Sequence, residues 1–149
     1  MAIREVIFRG KRTDNGEWVE GDLLHYESGE MAICKGFSKY GYEATEIIGR
    51  YKVIPETVGQ YTGLTDKNGK RIFEGDIVRY GTNTNRAKNK ETHEVVFETR
   101  GESGYFGIRI SEIETWQFCF EVPAKLMEVI GNIHDNPELL GGENNGINR

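Results

Sequence analysis

"KRIFEGDIVRY" (residues 70–80) and "GEWVEGDLLHY" (16–26) share an ending: Glu-Gly-Asp, two apolar residues, a basic or imidazole side chain and a tyrosine. Both stretches carry β-branched, aliphatic and aromatic residues that fit a pleated, half-buried surface, so both read as strands. Each follows an Asn-Gly pair, Asn15-Gly16 and Asn68-Gly69. Both residue types tolerate positive φ, so the spacing predicts two-residue type I′ hairpins. Inside the strands Gly21 and Gly75 forgo side-chain packing, which predicts a bulge or a sharp bend. The aspartates that follow, Asp22 and Asp76, are placed to accept from backbone N–H groups opened by that bend.

The pattern recurs along the chain. Runs rich in Val, Ile, Tyr and Phe lie at 5–10, 30–36, 45–53, 57–63, 93–99, 104–110 and 126–133. Turn signals separate them about every ten residues, which predicts an all-β barrel or sandwich. Helix signals are few. "NPELL" (136–140) offers Asn136 as N-cap, Pro137 at the first helical position and Glu138 where the dipole favours an acid, enough for a short C-terminal helical turn. "SEIETWQF" (111–118) joins a Ser111/Glu114 capping box to the alternation of Trp116 and Phe118, and reads as a turn or short helix leading into a strand. Residues 81–91 have no large apolar side chain and 141–149 only Ile147, so neither segment can offset its ordering entropy by burial, and both are expected to be mobile.

The chain also reads as one plan written twice. "VEGDLLHY" (19–26) lies over "FEGDIVRY" (73–80), and "IIGRYKVIPETV" (47–58) over "VIGNIHDNPELL" (129–140). The second alignment pairs Gly49 with Gly131, Pro55 with Pro137 and Glu56 with Glu138. Two blocks matched in the same order favour duplication over chance. Neither copy, about 6–60 or 61–140, is long enough to bury much core alone. The expectation is a single β-domain over 1–140, with a tail at 141–149.

Bulk properties narrow the classes. The net charge of −5 opposes a general nucleic-acid footprint, which needs a basic face to displace phosphate counterions. No apolar run approaches the ~20 residues that cross a bilayer, and Arg4 and Glu5 interrupt the N-terminal apolar run, so neither a membrane span nor a signal peptide is expected. Two cysteines far apart, Cys34 and Cys119, fit a reduced, cytoplasmic protein.

The long blocks resemble a known family. "ETVGQYTGLTDKNGKRIFEGDIV" (56–78), "EVIGNIHDNPELL" (128–140) and the N-terminal "FRGK…GEWVEGDLL" (8–24) are similar to the YopX proteins of bacteriophages and prophages. The resemblance spans roughly residues 3–140 and implies a mostly β fold of complex barrel type in the cytoplasm of a phage-carrying bacterium. It implies no mechanism, because it brings no catalytic residues with it.

The chemistry-bearing residues have plainer readings beside the sharper ones. His25, His93 and His134 are scattered, and neither cysteine has a C-x-x-C partner. "HDNPE" (134–138) groups His134, Asp135 and Glu138, but a turn and a helix cap explain it, and the matched "KVIPE" lacks the His-Asp pair. Glu20 with Asp22 and Glu74 with Asp76 would form a paired-carboxylate centre if they met, against the simpler reading of aspartates capping bends. Cys34 and Cys119 sit among apolar neighbours, as inert buried thiols do. Arg79, Arg86, Lys88 and Lys90 lie in a stretch without acids and could contact phosphates, with Tyr80 beside them to stack on bases. Trp18, Tyr26, Tyr61, Phe73, Tyr80, Phe97, Phe106 and Trp116 are expected mostly in the core.

The expected function is a non-enzymatic binding or interaction module without cofactor or metal. It is expected to self-associate through edge strands or exposed aromatics and to engage a phage or host macromolecule. The alternatives are a nucleic-acid-associated factor using 79–90 and a metal-dependent enzyme using the Glu-Gly-Asp carboxylates.

Overall fold

The computed structural model describes residues 5–37, 47–80, 91–118 and 123–141. Arg86, Lys88, Lys90 and Cys119 lie outside them, as does most of the two segments expected to be mobile. The described residues are mostly β, with one short helix, as the sequence predicts. All strand pairs are antiparallel, in two sheets, and neither sheet closes into a barrel. Closure needs a continuous ladder between first and last strands.

The chain divides into two compact units, residues 1–61 and 62–149. The first holds β1 (Phe8–Lys11), β2 (Trp18–His25), β3 (Met31–Phe37), β4 (Ile47–Val53) and the start of β5 (Gly59–Thr65). Their order is β4-β3-β2-β1-β5. β2 changes partner in mid-strand: Trp18–Gly21 pair with β1, and Asp22–His25 pair with β3. The change falls at the first Glu-Gly-Asp, and Gly21 permits it because a Cβ there would stand 2.0 Å from the Cys34 carbonyl oxygen. Strand alternation turns Val19, Ile33 and Val53 into a buried cluster, with Phe8, Leu23, Met31, Tyr51 and Val58 packed on it. Each such side chain contributes about 1.5–3 kcal/mol of burial. A 3-10 turn at Pro55–Thr57 follows β4, and Thr57 fastens it down: its hydroxyl oxygen accepts from Lys11 N at 2.9 Å and the hydroxyl donates to Ile54 O at 2.6 Å.

The second unit carries the end of β5, β6 (Arg71–Phe73), β7 (Asp76–Tyr80), β8 (Glu91–Arg100), β9 (Ser103–Arg109), β10 (Thr115–Gln117), β11 (Glu128–Asn132) and α1 (Glu138–Gly141). Its larger sheet runs β10-β9-β8-β7-β11. "KRIFEGDIVRY" is therefore two strands, not one. Gly75 breaks them with φ +88°, and the buried Asp76 accepts the Phe73 N–H at 2.8 Å. Here too the partner changes at Glu-Gly-Asp: β6 pairs with β5, while β7 pairs with β8 and β11. Ile72, Val78, Val95, Ile108, Phe118, Ala124, Met127 and Val129 form the core.

The turns differ from the I′ expectation. The first hairpin closes through Arg12 N to Glu17 O and Gly16 N to Arg12 O, a four-residue loop. The second closes through Asp66 N to Lys70 O and Gly69 N to Asp66 O, a three-residue loop ending on Gly69 at φ +78°. Asp66 decides it. Its Oδ1 accepts from Asn68 N and Lys70 N, a side-chain cap that holds a longer turn. Asn136 departs from its expected role as well, since its Oδ1 accepts from Asn132 N instead of capping α1.

Candidate functional site

In the second unit the alternation of β8 and β9 presents polar side chains on one face. Glu94, Glu98 and Arg100 alternate along β8, and register sets Glu98 opposite Tyr105 and Arg100 opposite Ser103. β10 adds Thr115 opposite Arg109. β10 sits close because Gly107 has no side chain: a Cβ there would lie 2.3 Å from the Trp116 carbonyl oxygen. Between β9 and β10 a turn closes through Ile110 N and Ser111 N to Glu114 O, with Ile113 N donating to Ser111 Oγ. The 111–118 stretch thus resolves as a turn before a strand, in line with its sequence.

These elements enclose a cleft of about 300 Å³, lined by Glu98, Thr99, Arg100, Tyr105, Arg109 and residues 112–116. That is the lower end of small-ligand pocket sizes, room for one or two side chains. Its charges are largely paired already. Arg109 reaches Glu98 at 3.2 Å and Glu94 at 3.9 Å. The Trp116 indole donates to Glu114 at 2.7 Å, and the Arg100 guanidinium lies 5.6 Å from the Tyr105 ring. Glu94 is half-buried, and burial pushes its carboxyl above the usual range; Arg109 pulls it down, and Glu74 and Glu98 add to the rise. Glu112 is exposed and has no ion-pair partner among the described residues, and Ile113 is 98% exposed at the rim.

The residues singled out in the sequence lie elsewhere. Arg79 is half-buried on β7, 4.0 Å from Glu128, which Lys67 also approaches at 3.2 Å. Asp22 stands exposed on β2 with no hydrogen bond to backbone among the described residues, so the bend-capping role predicted for it belongs to Asp76 alone. Among the described residues no three His, Cys, Asp or Glu side chains are placed to hold a metal ion. Gly49 gives room to the Tyr51 ring and Gly131 to the Asn136 side chain. Pro55 opens its 3-10 turn and Pro137 directly precedes α1. His134 and Asp135 belong to a turn in which their N–H groups donate to Asn132 Oδ1. Cys34 is buried. Of the aromatic set, Tyr61 and Phe73 are buried, whereas Tyr26 and Phe97 are exposed. The cleft was missed because its residues are scattered through three strands and a turn. The available signal was that Glu94, Glu98 and Arg100 of "ETHEVVFETR" (91–100) share strand parity and so one face.

A family model described as YopX protein matches residues 7–141. The crystal structure of protein EF1440 from Enterococcus faecalis is similar over 91% of this chain and 98% of that one, at 30% sequence identity and a TM-score of 0.58. None of the curated proteins matches.

Proposed function

This chain belongs to the YopX family, and from that premise we propose that it is a non-enzymatic binding module, phage- or prophage-encoded, cytoplasmic and self-associating, which engages a phage or host macromolecule. The observation that carries the reading is the cleft on β8, β9 and β10. Glu98 holds its Arg109, Glu114 holds its Trp116, and its Arg100 lies near the Tyr105 ring before any partner arrives. Arginine and large aromatics are the side chains that dominate recognition energy, and holding them in advance lowers the cost of ordering them on binding. The test is affinity capture from phage-infected bacteria with the wild type and with an Arg100→Glu, Tyr105→Ala variant. A protein retained by the first and lost by the second is expected. Identical captured sets would count against the reading.

The nucleic-acid alternative has less support. Arg79 already faces Glu128, and the chain is acidic overall. Retardation of DNA or RNA at low salt, abolished in an Arg86→Ala, Lys88→Ala, Lys90→Ala variant, would favour it instead.

A further inference from the structure

We propose that Asn68, in the Asn-Gly pair of the β5–β6 hairpin, is a modification site at which the side-chain amide is lost to water and an isoaspartyl linkage forms, while Glu17 holds back the matching Asn15 of the β1–β2 hairpin.

The reaction needs a backbone nitrogen and a mobile amide. The nitrogen of the following residue attacks the asparagine Cγ. A C–N bond forms, the Cγ–Nδ2 bond breaks, and ammonia leaves with the proton that the backbone nitrogen gives up. Water then opens the cyclic imide at either carbonyl, giving aspartate or isoaspartate, and nothing is oxidised or reduced. A glycine after the asparagine leaves the nitrogen unshielded, because it carries no side chain. Both pairs meet that condition: nothing lies within 4 Å of where a Cβ would stand at Gly16 or Gly69, and Asn15 and Asn68 are exposed. The nitrogens are alike as well, since Gly16 N donates to Arg12 O and Gly69 N to Asp66 O, each at 3.0 Å.

The amides are what differ. Asn15 Oδ1 accepts from Glu17 N at 3.0 Å and its Nδ2 donates to Glu17 Oε2 at 3.1 Å, so turning its Cγ onto Gly16 breaks two hydrogen bonds. Asn68 is engaged through its backbone N–H, on Asp66 Oδ1, and among the described residues its side chain makes no hydrogen bond. Two bonds of ordinary net strength slow Asn15 by about tenfold relative to Asn68. The product matters to the fold. An isoaspartyl linkage lengthens the backbone by one methylene before Gly69, which draws the Gly69 and Lys70 N–H groups away from Asp66, the residue whose other oxygen holds Val129 of β11.

The experiment ages the full chain in warm, mildly alkaline buffer and cleaves it after glutamate. That puts Asn15 in peptide 6–17 and Asn68 in peptide 57–74, and sends the third Asn-Gly pair, Asn145-Gly146, which lies outside the described residues, into 144–149. Mass spectrometry is expected to show amide-to-acid conversion about tenfold faster in 57–74 than in 6–17. An isoaspartyl methyltransferase should label 57–74. Glu17→Ala should speed conversion in 6–17 and leave 57–74 unchanged, and in urea the two peptides should convert alike. The urea midpoint of the aged wild type should fall further than that of aged Asn68→Ser. Equal or reversed rates in the folded chain, no methyl labelling of 57–74, indifference of 6–17 to Glu17→Ala, or the same rate ratio in urea would overturn the proposal.

Discussion

Asp66 is 3% exposed, and it ties together parts of the second unit that are far apart in sequence. One oxygen caps the β5–β6 turn, and the other accepts the Val129 N–H of β11 at 2.9 Å. Burial raises its carboxyl, but the three N–H groups from Val129, Lys70 and Asn68 outweigh that, and the net displacement is downward. Asp66→Asn turns one acceptor into a donor facing N–H groups and should cost about 2 kcal/mol in urea unfolding. A depressed carboxyl stabilises the fold fully above the unfolded value of about 3.9, and that stabilisation is lost as pH falls through the lower folded value. The acid limb of stability against pH should therefore be shallower in the variant; an unchanged limb would place that dependence on other groups.

Among the elements, the two Glu-Gly-Asp stretches do the same job by different means. In both, the strand leaves one partner and takes another. β2 does this without interruption, because Gly21 lets the Cys34 carbonyl come close. β6 and β7 do it across a turn at Gly75 in the left-handed region. Gly75→Ala should cost about 1–2 kcal/mol, and Gly75→Asn should recover part of it, because asparagine tolerates that region. Gly21→Ala should cost about as much or more through overpacking, and Gly21→Asn should be worse still. Thermal melts of the four variants check this; rescue by asparagine at both sites would mean the bends share one cause. The 3-10 turn at Pro55–Thr57 also has a counterpart that sequence comparison passed over, Ala124–Leu126. Each precedes a strand and closes on its first residue, Val58 N to Pro55 O and Met127 N to Ala124 O.

For the molecule as a whole, β5 is shared by the two units. Gly59 and Gln60 pair with β1 in the first, and Thr62 donates its hydroxyl to Ile72 O in the second. Among the described residues of the first unit, the buried cluster is Val19, Ile33 and Val53 with five partly buried side chains packed on it, a small core for some sixty residues. The single-domain expectation therefore predicts one cooperative transition. Trp18 reports on the first unit and Trp116 on the second, so Trp116→Phe and Trp18→Phe variants followed by fluorescence in urea should give coincident midpoints. Two separated midpoints would show that the units fold independently. The sequence by itself determined the mostly β class, the family and the positions of the two bends, but not that the second bend splits residues 70–80 into two strands, because alternation, glycine and turn chemistry are local and act through a few neighbouring residues. It misjudged both hairpin loops: Asn-Gly speaks for a two-residue turn, but the first hairpin closes over four residues, and in the second Asp66, Lys67 and β11 hold a three-residue loop. Only the tertiary structure decided that Asp66 is buried while Asp22 is not, that Arg79 faces Glu128, and that side chains from β8, β9 and β10 enclose a cleft. Those facts depend on which strands become neighbours, and strand pairing joins residues that no short stretch of sequence brings together.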